Sequence, residues 1–156
     1  MEDSRSYRIL VLAPTNTACD EIARKILELS KNTCPWLYRF IATADCNLDN
    51  LVIDRQSNAY DEENCCIIST IARLSFDGFN NEYGVTKLSD ITWNMVICDE
   101  ASMIPIAEIT YAIYTFKNIP ILIAGDPMQI KPIVHENEWK DENIYTMVNL
   151  DKFDNP

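Results

Sequence analysis

Apolar and polar positions are grouped in blocks along this chain. Four short apolar runs stand out: RILVLA (8–13), CCIIS (65–69), NMVIC (94–98) and ILIA (121–124). Each is near-continuous rather than alternating, the pattern of strands covered on both faces in a parallel sheet. WLYRFIA (36–42) is a weaker fifth candidate. Between the runs the period changes to that of a helix. In NTACDEIARKILEL (16–29), Ala18, Ile22, Ile26 and Leu29 fall on one face, with Asp20 and Glu21 near the N-terminus, where negative charge is favoured. In IPIAEITYAIYTF (104–116), Ile106, Ile109, Ile113 and Phe116 do the same, and Pro105 suits a first turn. Strand alternating with helix predicts βαβ units and an α/β domain built on a parallel sheet. Residues 43–64 and 77–90 read as loops or small insertions.

Polar clusters follow the strands. Pro14-Thr15-Asn16 follows the first run, Thr70 the second, Asp99-Glu100 the third, and Gly125-Asp126 with Gln129 the fourth. In an open parallel sheet all C-terminal strand ends lie along one edge, where ligands bind. A single Asp-Glu after a strand is more often an exposed turn, because short motifs match freely by chance. Four such clusters on one edge are harder to dismiss.

The order of these segments resembles a known family. VLAPTNTACDEIARKI, IISTIARL, VICDEAS and ILIAGDPMQIKPIV look like motifs Ia, Ic, II (Walker B) and III of superfamily 1 helicases. The first is similar to the nonsense-mediated-decay type, and DEASM with GDPMQI is similar to RecD-type enzymes. The likeness covers residues 7–135; 136–156 is an acidic tail whose Trp139, Tyr145 and Phe153 either pack back on the domain or await another. It implies a RecA-like, P-loop-NTPase-type parallel sheet with flanking helices, and residues 1–156 as a partial first motor domain. By resemblance Asp99 holds Mg²⁺ through water, Glu100 activates the attacking water, and Gln129 senses the γ-phosphate. Glu100 and Gln129 are then the catalytic pair. Asp99, Glu100, Gly125, Asp126 and Gln129 form the nucleotide side, with Gly125 and Asp126 shaping the turn. Pro14, Thr15, Asn16 and Thr70 would contact the phosphates of single-stranded DNA or RNA. Arg73 is a further possible track contact, and equally an ordinary solvated residue. Ile130, Lys131 and Met103 depart from the more usual residues without touching the acidic pair. A PhoH-like ATPase shares the DEA and GDPxQI elements but fits APTNTACDEI less well.

Composition limits the reading. Only three glycines occur, Gly78, Gly84 and Gly125, and no G-x-x-x-x-G-K-[ST] is present. The phosphate-cradling loop and first strand are therefore expected to be absent, with the second RecA-like domain. ATP and Mg²⁺ belong to the full-length protein, and the chain by itself is expected to be inactive. The strand at 121–124, deprived of its neighbour, would have an open edge prone to self-association.

The net charge of −11 argues against binding nucleic acid through a broad basic surface. Helix N-termini and hydroxyls make phosphate contacts without one. The acidic balance also keeps open a non-catalytic interaction or nucleic-acid-binding module derived from such an ATPase. Six cysteines without a C-x-x-C pair, and His135 as sole histidine, lack zinc spacing and read as buried thiols. No run is long enough to span a membrane, and the charged start is not a signal peptide, so an intracellular, cytoplasmic protein is expected.

Overall fold

A computed structural model of the chain describes residues 7–31, 33–40, 46–75, 78–82, 84–128 and 143–148. Six strands form one sheet: β1 (Tyr7–Ala13), β2 (Leu37–Phe40), β3 (Val52–Ile53), β4 (Asn64–Thr70), β7 (Met95–Cys98) and β8 (Ile121–Ile123). Their order is β3-β2-β4-β1-β7-β8, and every pairing is parallel. The four apolar runs and the weaker fifth are all strands here, in an α/β architecture. The central strands β1 and β4 are buried along most of their length, which is why their sequences do not alternate.

Helices cover both faces. On one face α1 (Asn16–Leu29) packs through Cys19 and Ala23, with Ile22, Ile26 and Leu27 partly buried, over Val11, Leu37 and Ile68. On the other, α2 (Ile106–Thr115) inserts Ile109 and Ala112, followed by Phe116, into a core with Leu10, Leu12, Ile67 and Val96. A short α3 (Ile144–Met147) adds Ile144 and Tyr145 to that second core.

The buried face of α1 is turned from the expected one. Leu29 is 77% exposed, whereas Asp20 is only 4% exposed. Asp20 does not serve a helix dipole from the surface; its Oδ1 accepts a hydrogen bond from Arg39 Nε at 2.9 Å, and the Arg39 side chain is wholly buried. The ion pair rotates an acidic side chain inward and leaves Leu29 outside.

Residues 77–90, expected as a loop or small insertion, contain an antiparallel hairpin of β5 (Gly78–Asn81) and β6 (Gly84–Lys87). Phe79 anchors it, its ring centroid 4.7 Å from that of Phe40 and 4.6 Å from that of Tyr60. A Cβ on Gly78 would lie 2.2 Å from the Thr86 carbonyl oxygen, so the two strands approach through the missing side chain. Trp93, 2% exposed, closes this side by donating Nε1 to the Leu88 carbonyl at 2.9 Å.

Five cysteines, Cys19, Cys34, Cys65, Cys66 and Cys98, are free and buried. Burial pushes the Cys66 thiol up to about 12, and those of Cys19, Cys65 and Cys98 to about 11. These sulfurs stay protonated at neutral pH and behave as small apolar groups.

Strand β8 lies at the edge of the sheet. Val96 N–H donates to the Pro120 carbonyl at 3.0 Å, and Ala124 N–H to that of Cys98 at 2.8 Å. That parity turns the main-chain groups of Ile121 and Ile123 away from β7, toward an edge where no described strand pairs. Leu122 is half exposed beside it. No helix among the described residues is long and apolar enough to cross a membrane.

Candidate functional site

Register brings the polar clusters level. Ala13 of β1 pairs with Thr70 of β4, Leu12 with Cys98 of β7, and Cys98 with Ile123 of β8. The residue after each strand therefore emerges on the same edge. Pro14, Thr15 and Asn16, Thr70, Asp99 and Glu100, and Gly125 and Asp126 all lie along that rim. Gln129 lies outside the described residues, as do Ile130, Lys131, His135, Trp139 and Phe153.

The acidic pair is held tightly. Asp99 N–H donates to the Leu12 carbonyl at 2.9 Å, extending the ladder one residue past β7. Its side-chain Oδ1 then accepts the Glu100 N–H at 2.9 Å. Glu100 has φ 51° and ψ 39°, the left-handed region that a residue with a Cβ rarely adopts. Its Oε2 is buried with no hydrogen-bond partner among the described residues. Backbone strain and an orphaned carboxylate oxygen in one residue are a costly combination, of the kind that clusters at functional sites.

The β8 turn is built against this pair. Ala101 N–H donates to the Ala124 carbonyl at 2.9 Å. A Cβ on Gly125 would stand 2.8 Å from Ala101 N and 3.1 Å from Ser102 N, so only glycine permits the approach. Asp126 Oδ1 accepts the Met128 N–H at 2.9 Å, closing the turn that follows. The tail contributes as well. Asn143, 1% exposed, donates Nδ2 to the Ser102 carbonyl at 3.0 Å and caps α3. This docking sets the Tyr145 hydroxyl 3.3 Å from the position of a Gly125 Cβ. Burial raises the Tyr145 phenol, and the Asp99 and Glu100 carboxylates raise it further.

On the other flank, Thr15 is the N-cap of α1, its hydroxyl accepting the Ala18 N–H at 3.1 Å. Asn16 opens the helix and is exposed, its Oδ1 accepting from Arg39 Nη2 at 2.8 Å. Thr70 is only 8% exposed, less available to a ligand than Thr15 and Asn16. Arg73 is half-buried and already engaged in interactions. Between α1 and the acidic pair runs a groove of about 660 Å³, its walls including Thr15, Ile22, Ile26, Asp99, Glu100 and Met103. Its volume is in the range of small-molecule sites.

No group of three or more His, Cys, Asp or Glu side chains converges among the described residues. Asp99 and Glu100 do offer hard oxygen donors at the groove. Two carboxylates are too few for an all-protein cage; a hard cation held there would complete its shell with water or ligand oxygens. The unpartnered Glu100 Oε2 is consistent with a cation or a polarised water nearby.

Three site-building residues escape a reading by strand ends alone: Arg39, Ser102 and Tyr145. Arg39 had a signal, since a charge inside an apolar strand must find a partner. Tyr145 had the weaker signal of a tail aromatic able to pack back on the domain, and it does so; Ser102, fully buried with its hydroxyl unpartnered among the described residues, had none. No protein-family model matches the chain, and no curated protein matches it.

Proposed function

We propose that this chain is part of the first, RecA-like motor domain of a superfamily 1 helicase, an enzyme coupling ATP hydrolysis to movement on single-stranded DNA or RNA. One observation carries the reading: the acidic pair, the glycine turn and the α1 start share one rim of a parallel sheet, in the order the motifs require.

In this reading Asp99 would hold a hydrated Mg²⁺, which when bound would supply charge neutralisation for the nucleotide's phosphates. Glu100 accepts the proton of the attacking water, its side chain held ready by the left-handed turn. Gly125 and Asp126 place the turn that leads to Gln129, which reports the γ-phosphate. Thr15 and Asn16 contact the track, with Pro14 and Thr70 shaping that corner. Two parts are supplied by other segments, namely the phosphate-cradling loop and the second RecA-like domain with its arginine. The β8 edge, unpaired among the described residues, and the groove along α1 would receive a strand and helix carrying that loop. Left uncovered, the same edge favours self-association.

With no phosphate cradle of its own, the 156-residue chain is expected to bind Mg·ATP with a dissociation constant of about 1 mM or weaker. Isothermal titration calorimetry measures this directly. Micromolar affinity would mean that the chain holds a complete nucleotide site, contrary to the proposal.

A further inference from the structure

Arg39 is the one arginine or lysine among the described residues that is wholly buried, and its guanidinium spends its donors on four groups. Nε donates to Asp20 Oδ1 at 2.9 Å, Nη2 to Asn16 Oδ1 at 2.8 Å, and Nη1 to the carbonyls of Phe40 at 3.1 Å and Ile68 at 3.4 Å. The acceptors come from β2, β4 and α1, so one side chain ties the start of α1 to two neighbouring strands.

The chemistry of the guanidinium decides which way Asn16 faces. Arginine has donors and no acceptor, so only the amide oxygen of Asn16 can meet it. The amide nitrogen is thereby turned the other way, and Asn16 is exposed. Beside it, the Thr15 hydroxyl oxygen is occupied in accepting from Ala18 N–H, which leaves its hydrogen to donate. Both side chains at this corner therefore present donors.

We propose that Arg39 is a positioning residue: by holding the Asn16 oxygen, it presents the Asn16 amide nitrogen at the rim as a donor for an anionic phosphate oxygen of single-stranded nucleic acid. The proposal rests on the track reading of Thr15 and Asn16, and it adds a cause for that corner's preference. A freely turning amide would offer oxygen or nitrogen equally; a locked one takes anions and rejects cations. It also explains how a strongly acidic chain can keep a phosphate contact, since the buried cation acts through an oriented dipole.

The test uses the full chain in two arms. In the first, ¹⁵N relaxation is measured on the Asn16 side-chain amide. It is expected to be as rigid as the α1 backbone, and to become flexible in the double variant Asp20→Leu/Arg39→Met, which removes the ion pair without leaving a lone buried charge. An amide that is already flexible in the parent chain overturns the positioning role. In the second, fluorescence anisotropy follows a fluorescein-labelled oligothymidylate at low salt. Asn16→Asp keeps the oxygen facing Arg39 and replaces the outward donor with an acceptor. It is expected to weaken binding about tenfold or more, the loss of a hydrogen bond to a charged group. Thr110→Asp, the same charge on the exposed face of α2, controls for net charge and is expected to have little effect. Asn16→Asp binding like the parent, or like Thr110→Asp, overturns the phosphate assignment. A parent chain that binds no oligonucleotide defeats the track reading and the assignment together, while the relaxation arm still decides whether Arg39 orients the amide.

Discussion

Replacing Arg39 with methionine is expected to cost about 3–5 kcal/mol of folding stability, the usual loss when one partner of a buried ion pair is removed. Asp20, 4% exposed on the inner side of α1, would lose the guanidinium that donates to its Oδ1. Asn16 Oδ1 and the carbonyls of Phe40 and Ile68 would lose a donor at the same time. Domains of this size have about 5–15 kcal/mol in all, so the variant should unfold at much lower urea. Removing both charges should undo most of the damage. Asp20→Leu/Arg39→Met leaves no buried charge, and apolar replacement of such pairs is often neutral or stabilising. Equilibrium urea denaturation of the two single variants and the double one measures the coupling. If Arg39→Met loses less than about 1 kcal/mol, the pair does not organise the α1 start as described.

The second large effect falls on turnover. In a motor that includes the phosphate loop, Glu100→Gln is expected to lower ATP hydrolysis about 10²–10⁴-fold, the range for losing a positioned general base. Nucleotide affinity should change little, because the amide keeps the shape of the side chain. Asp99→Asn should instead raise the Mg²⁺ concentration that hydrolysis requires. The same Glu100→Gln change should leave the stability of the isolated chain unchanged or slightly raised. The carboxylate Oε2 is buried without a partner among the described residues, and a neutral amide costs less to bury than a carboxylate. Loss of hydrolysis with no loss of stability marks a residue kept for chemistry. A variant that hydrolyses ATP at the parental rate contradicts the role given to Glu100, and one that unfolds makes Glu100 a structural residue.

Much of the sheet was legible because parallel strands buried on both faces leave continuous apolar runs. The 8–13 and 65–69 runs fall inside β1 and β4, and residues 16–29 are α1 end to end. The rim was legible for the same reason, since parallel order sends every C-terminal strand end to one side. Periodicity failed where a specific pair outweighed it. Asp20 lies inside and Leu29 outside because Arg39 needs a buried carboxylate more than the core needs one more leucine. The 78–87 hairpin gave no local sign. Gly-Phe-Asn-Asn has little strand propensity, and its order comes from Phe79 packing on Phe40 and Tyr60, far away in sequence. Tyr145 reaches the acidic pair by the same kind of distant contact, through Asn143 and Ser102. Thr70 was read as a surface contact from its place at a strand end, but β4 is buried to its last residue.

Backbone amide shifts on titrating ¹⁵N-labelled chain with Mg·ATP report whether the proposed hydrolysis centre lies on this edge of the sheet. Weak, unsaturated changes are expected, confined to Asp99–Ala101, Ala124–Asp126 and the Thr15–Asn16 corner, and abolished near the acidic pair by Asp99→Asn. Changes at the opposite end of the strands, around Tyr7, Trp36 and Asn64, with the rim unaffected, would contradict it.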